Sequence, residues 1–151
     1  MRRIPRPLAR APIALFRAGL GALLGDTAVM VEHRGRRSGL PRHVVLEVLV
    51  AEPDAVVVVS GYGERAQWFR NVRVDPRVRL WWGRARGVLA LAEVLDASAG
   101  RELLETYRRL HPWRSRFVAR VLDLPALGDP RPLPHDIGET VRLVRISRVT
   151  T

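Results

Sequence analysis

The sequence contains no cysteine and no lysine. Without cysteine the chain has no disulfide framework, no thiolate nucleophile and no cysteine-ligated zinc or iron–sulfur site. Its four histidines are scattered, so no histidine-rich metal site is expected. With 151 residues, 47% of them hydrophobic, the chain is expected to fold as one domain around a substantial core.

All 26 basic residues are arginines, against 15 acidic residues, and the net charge is +11. Such an excess favours an anionic ligand or partner: a phosphate compound, a nucleic acid or an acidic membrane. Because Ala, Gly, Pro and Val are also abundant, we attribute most of the arginine content to a compositional bias and treat only clustered arginines as functional. No nucleic-acid reader motif occurs, so a small-molecule ligand is expected and a nucleic acid is not.

Residues 1–25 are basic and amphipathic. Apolar residues recur at helical spacing from about residue 7 to residue 24, and Gly25 ends the pattern. Arg17 interrupts the apolar stretch, which is too short to cross a bilayer and lacks an A-x-A-like cleavage site. We predict an amphipathic helix that packs on the domain's own sheet, with peripheral contact to an anionic membrane as the alternative. The expected location is the cytoplasm, with membrane association left open.

Residues 26–151 are expected to form a single barrel domain. Six runs rich in Val, Leu and Trp predict strands at 27–32, 43–50, 55–60, 78–82, 88–95 and 140–146. Helices are predicted over 65–74, from an N-cap at Ser98 to Leu110, and over 113–122, with a proline-rich loop at 124–136. Because the links are of hairpin length, pairing should be mainly antiparallel. The predicted fold is α+β: about six strands rolled into a small barrel with helices outside.

The segment 33–42 has the composition of an anion-binding turn. Two glycines allow the backbone to turn and to expose its N–H groups. Its polar side chains could add charge-assisted contacts: Arg36, Arg37, Ser38 and Arg42. The spacing is not that of a Walker loop, and a solvated basic hairpin turn would have the same composition.

The segment 59–72 leads from a strand through a glycine-containing loop into a short helix. Free N–H groups at a helix start can bind a carbonyl or phosphate oxygen. Trp68 and Phe69 could close a site or pack in the core. Asn71 is harder to explain as a core residue.

Together the two segments resemble the deazaflavin (F420)-dependent nitroreductase family. Residues 35–42 resemble its G-R-[KR]-S-G-x-P-R stretch, residues 60–71 its S-x-G-G…W-[YF]-x-N stretch, and residues 75–78 its N-P-x-V stretch. The resemblance covers about residues 24–124 in the same order. It implies a split β-barrel that binds coenzyme F420, a hydride carrier with a phosphate and an acidic tail, and that reduces an enone, quinone or nitro compound.

The resemblance also implies roles for individual residues. The cofactor's phosphate and tail would lie at the turn formed by Arg36, Arg37, Ser38, Gly39, Pro41 and Arg42. The deazaflavin ring would contact Ser60, Gly61 and Tyr62, and the site would be closed by Trp68, Phe69 and Asn71. FMN is the alternative cofactor. The alternative function is a non-enzymatic carrier or storage protein, and a less favoured one is a basic binding module for nucleic acid or a membrane surface.

Two departures from the family pattern bear on catalysis. Tyr62 stands where the family often has glycine, and it is our one candidate for a catalytic side chain. Residues 110–117 lack the tyrosines that the family's quinone and nitroimidazole reductases carry. In that region Trp113 and Phe117 could wall an apolar substrate pocket or be helix-face core residues. The substrate, the proton donor and the oligomeric state stay open at this point.

Overall fold

The computed structural model describes residues 27–60, 63–121 and 124–150. The predicted N-terminal helix, together with Gly61 and Tyr62, lies outside the described residues. Six strands pair antiparallel and close into a barrel, in the order β1-β2-β3-β6-β5-β4. The strands are β1 Ala28–Arg34, β2 Pro41–Ala51, β3 Ala55–Ser60, β4 Arg77–Trp82, β5 Ala85–Val94 and β6 Arg142–Arg148. The predicted α+β barrel is confirmed.

Strand β3 shows why an unbroken valine run predicts a strand. Every residue of Ala55–Ser60 is buried. Val56 and Val58 belong to the cluster that fills the barrel, whereas Val57 and Val59 belong to a second cluster beneath the helices. Because successive side chains of a strand point to opposite faces, a strand covered on both faces is apolar throughout.

In the described ranges four α-helices accompany the barrel: α1 Gln67–Val74, α2 Ala97–Leu110, α3 Pro112–Val121 and α4 Ile137–Thr140. Helix α1 contributes Trp68, Phe69 and Val72 to the barrel cluster. Trp68 is 7% exposed and Phe69 is fully buried, so both aromatics pack in the barrel core. Helix α1 is thereby fixed against the barrel, beside the β1–β2 turn.

Several predicted helix and strand boundaries were wrong by a few residues; for example, β5 begins at Ala85 instead of Val88. Asp96, not Ser98, caps α2: its backbone is extended and its Oδ1 accepts a hydrogen bond from the N–H of Ala99 at 2.8 Å. Thr140 ends α4 instead of starting the last strand. Within this short helix Gly138 lies so close to the carbonyl of Ala97 that a Cβ would collide with it.

Helix α3 buries one face and exposes the other. Ser115, Val118 and Ala119 are buried, while Trp113 is 78% exposed and Phe117 is 60% exposed. The core alternative for Trp113 and Phe117 was therefore wrong.

Within the described ranges, no helix is long and apolar enough to cross a membrane.

Candidate functional site

The turn between β1 and β2 is fixed by its two glycines. The N–H of Gly35 donates to the carbonyl of Leu40 at 2.9 Å, and the N–H of Gly39 donates to the carbonyl of Gly35 at 2.8 Å. Gly39 has φ +69°, a conformation that L side chains rarely adopt. A Cβ on Gly35 would lie 2.6 Å from Oγ of Ser38. The backbone conformation therefore favours glycine at position 39, whereas a side chain at position 35 would displace the hydroxyl of Ser38.

A buried hydroxyl shapes the loop that enters α1. Oγ of Ser60 donates to the carbonyl of Gly63 at 2.8 Å, and Ser60 is 1% exposed. Gly63 has φ +57°, and a Cβ there would lie 2.6 Å from the carbonyl oxygen of Thr140. Helix α1 then begins after Ala66 with no side-chain cap on its first turn. The first N–H groups of an α-helix have no partner inside the helix, so this end can donate to a ligand.

Asn71 joins the two segments that carry the family resemblance. It is 5% exposed, and its Oδ1 accepts from the backbone N–H of Arg36 at 3.1 Å and from Nη1 of Arg36 at 2.9 Å. Its Nδ2 lies 3.1 Å from Nδ1 of His33. A buried asparagine is thus explained by three polar contacts that connect α1 to β1 and to the turn.

The turn and α1 border a cavity of about 640 Å³. The structure places six predicted residues on its wall: Arg36, Arg37, Ser38, Arg42, Trp68 and Asn71. It adds six that were not among the predicted site residues: His33, Gly35, His43, Val44, Ala66 and Gln67.

Other predicted site residues lie elsewhere. Gly39 and Pro41 belong to the turn and to the start of β2 without lining the cavity, and Ser60 and Phe69 are buried beside it. Trp113 and Phe117, on α3, are not among the lining residues either.

The arginines on the cavity wall differ in their partners. Arg36 is held by Asn71, as described above. Arg37 and Arg42 are exposed, and neither side chain has a hydrogen bond or ion pair to another residue of the described ranges. Two guanidinium groups are therefore available on the wall for an anionic ligand, next to the uncapped end of α1.

Two histidines from neighbouring strands also contribute to the wall. His33 is 4% exposed, and burial, together with nearby His43 and Arg42, lowers its pKa to about 4. Nε2 of His43 lies 3.1 Å from Oε2 of Glu32, its cross-strand partner. At neutral pH the imidazole of His33 is therefore uncharged.

A sequence signal for His33 did exist. Residues 29, 31 and 33 lie on the same face of β1 because side chains alternate along a strand. Val29 and Val31 are fully buried, so this alternation directs the side chain of His33 inward. In the parts of the chain that the structure describes, no group of three or more His, Cys, Asp or Glu side chains could hold a metal ion.

Several solved structures share this fold. A putative pyridoxamine 5'-phosphate oxidase from Listeria innocua matches with a TM-score of 0.52 at 15% identity, covering 90% of this chain and 94% of that one. HutZ, the heme storage protein from Vibrio cholerae, matches with a TM-score of 0.53 at 14% identity over 95% and 92% of the two chains. At such identities the likeness shows the fold alone: an α+β split barrel.

The family follows from the sequence. The model of the F420H(2)-dependent quinone reductase family matches residues 14–118. The chain belongs to this family and is an F420-dependent oxidoreductase. Comparison with curated proteins gave no match.

Proposed function

We propose that the protein binds the reduced coenzyme F420H2 in the cavity between the β1–β2 turn and α1, and transfers its hydride to a quinone, an enone or a nitro compound. The observation that carries the proposal is the contact between Arg36 and Asn71. These residues lie 35 positions apart, one in each segment of the family resemblance, and they meet on one cavity. Family membership supports the coenzyme.

The residues of the cavity fit an anionic cofactor with a flat ring. Arg37 and Arg42 offer unpartnered guanidinium groups to a phosphate and an acidic tail. The first turn of α1 adds backbone N–H groups, and its partial positive charge favours an anion. Trp68, Val44 and Ala66 supply apolar wall for the ring. Charge and shape thus agree with a phosphate-bearing deazaflavin.

The bound reduced deazaflavin would supply the hydride, so the protein needs no nucleophile and its part is to hold and orient the reactants. Reduction of a quinone takes up one hydride and one proton. Tyr62, outside the described residues, stays our candidate proton donor. Because residues 110–117 contain no tyrosine, we expect water to deliver this proton to the quinone in many of the turnovers. The Tyr62→Phe variant should therefore lose only part of the rate.

Spectroscopic titration tests the cofactor. F420 should bind more tightly than FMN, because FMN has a phosphate but no acidic tail to meet Arg37 and Arg42. Arg37→Ala and Arg42→Ala should weaken F420 binding. The Arg84→Ala variant is their matched control, since Arg84 is an exposed arginine of another hairpin turn and does not line the cavity. Tighter binding of FMN would contradict the proposed cofactor.

Stopped-flow kinetics separate an enzyme from a carrier. F420H2 bound to the protein should be oxidised faster than free F420H2 by at least one member of a panel of menadione-like quinones, nitroimidazoles and enones, with saturation in the acceptor. Tight binding without acceleration across the panel would replace the reductase proposal with the carrier function.

Peripheral membrane contact through residues 1–25 is a separate proposal. The basic, amphipathic composition of this segment supports it. The full chain should co-sediment with vesicles that contain anionic lipid, and a chain starting at residue 26 should not. Equal sedimentation of the two would contradict the contact.

A further inference from the structure

The polar contacts around Asn71 determine which of its ends faces which neighbour. The backbone N–H and Nη1 of Arg36 can only donate hydrogen bonds, and they lie 3.1 and 2.9 Å from Oδ1. The amide oxygen must therefore face Arg36. The amide nitrogen then faces Nδ1 of His33 at 3.1 Å.

This arrangement fixes the protonation of His33. An amide NH2 group only donates, so Nδ1 of His33 must accept, and the ring must be neutral with its proton on Nε2. A proton on Nδ1 would place two donors against each other. The surroundings agree, because a 4% exposed ring that lies near the cation of Arg42 and near His43 resists a positive charge.

The charged and titratable groups around the ring come from several elements. On β2 they are Arg42 and His43, the latter paired with Glu32 of β1. Arg79 of β4 is the cross-strand neighbour of Glu32. Arg36, from the turn, is held by Asn71 of α1. The one carboxylate of this set is engaged by His43, so none is paired with His33.

We propose that His33 is a positioning residue: its neutral Nδ1 orients Asn71, and Asn71 in turn holds Arg36 and the β1–β2 turn against α1. The hydrogen bonds within the turn set its shape, while the bonds through Asn71 set where it lies. Protonation of His33 would release Asn71 and displace the turn with its ligand-binding arginines. For the ligand this inference rests on the proposed function, but the geometry of the turn can be tested without any cofactor.

Three variants separate the roles of the ring. Asn at position 33 places an amide oxygen close to the position of Nδ1, whereas Gln places its amide near Nε2, and Leu has neither. In cofactor-free protein we expect the Arg36 amide resonance of His33→Asn to stay near its wild-type position. In His33→Leu and His33→Gln it should move, and its hydrogen exchange should speed up by about tenfold, as for the loss of one hydrogen bond.

Two further readouts use the wild-type protein. Nitrogen NMR of His33 at neutral pH should show a proton on Nε2 and none on Nδ1. On acidification, the Arg36 amide should shift with the same midpoint as the His33 ring, and this shift should be absent in His33→Asn. F420 affinity should fall about tenfold in His33→Leu and stay within about threefold of wild type in His33→Asn.

The proposal is overturned if Nδ1 carries the proton, or if His33→Leu keeps the wild-type Arg36 amide shift and exchange rate. If His33→Leu does not fold, the tautomer measurement and the acid titration still decide. If wild-type protein fails to bind F420, the proposed function fails, and the cofactor-free NMR results judge the role of His33 independently.

Discussion

Two arginine-bearing regions of this protein use the same side chain in opposite ways. Under the helices, Nη1 of Arg108 donates to the carbonyls of Asp129 and Arg131 at 2.7 and 2.6 Å, and its Nη2 donates to Oε2 of Glu105 at 3.1 Å. In the β1–β2 region, Arg37 and Arg42 have no such partners in the described ranges. Composition cannot separate these two kinds of arginine, whereas their partners in the described residues can: one kind holds the fold, and we propose that the other binds the ligand.

The largest expected effect is the loss of stability when Arg108, the arginine that holds the fold, is replaced. The Arg108 side chain is 16% exposed, and Arg108→Ala removes the donor for two backbone carbonyls and one of the two ion-pair partners of Glu105. We expect the free energy of unfolding to fall by about 2–4 kcal/mol, with unchanged F420 affinity per folded molecule. Denaturant titration measures the first quantity and absorbance titration the second. Normal stability with weakened binding would reverse the assignment of the two regions.

Acid should destabilise the cavity side through His33. Its pKa is about 4 in the folded protein against 6.5 as the ordinary value, because burial disfavours the charged ring. The contribution of His33 to the free energy of unfolding is therefore complete above about pH 6.5. It is lost as the pH falls towards 4, because the unfolded chain takes up the proton first, and the loss is about 3 kcal/mol. Chemical denaturation of wild type and His33→Asn across this range isolates the contribution. A parallel pH dependence of the two proteins would contradict it.

The binding side of the comparison predicts smaller, selective losses. Arg37→Ala or Arg42→Ala should each weaken F420 binding by about 1–3 kcal/mol, the range for a hydrogen bond to a charged group, and should leave the melting temperature nearly unchanged. Arg84→Ala should change neither quantity. Variants that unfold while they keep normal affinity would make both arginines structural.

The smallest effect is expected on α3. Trp113 is highly exposed, with the guanidinium of Arg116 over its ring at 5.2 Å, and it does not line the cavity. Trp113→Ala and Phe117→Ala should change the free energy of unfolding by less than about 1 kcal/mol and leave F420 affinity unchanged. Steady-state kinetics measure the contact with substrate. A raised KM for apolar quinones in either variant would contradict this prediction and indicate that the residue lines the substrate site.

Local signals predicted the fold well because they are strong here. Valine runs and hairpin-length links carry the strand pattern, and glycines mark turns such as Gly83-Arg84 between β4 and β5. The cap at Asp96 and the end of the helix at Thr140 were missed because the local sequence allows a helix boundary at several neighbouring residues. Contacts with the rest of the fold determine which of them is used. Burial of Gly138 against α2 is one such contact.

The candidate site could be predicted only in part. Its segments are visible in the sequence, but the bond between Arg36 and Asn71 spans 35 positions and no local pattern contains it. For the same reason the sequence could not tell that Arg36 is bonded to Asn71, while Arg37 and Arg42 have no partner in the part of the chain that the structure describes. His33 is a partial exception: it shares the parity of Val31 on β1, but the predicted strand ended at residue 32 and did not include it.

The most direct test of the account is the salt dependence of F420 affinity in wild type and in the Arg37→Ala/Arg42→Ala double variant. If the free arginines of the turn hold the anionic cofactor, wild-type affinity should fall steeply as salt rises, and the double variant should bind weakly with a much flatter dependence. An equally steep dependence in both proteins would place the anion elsewhere and contradict the account.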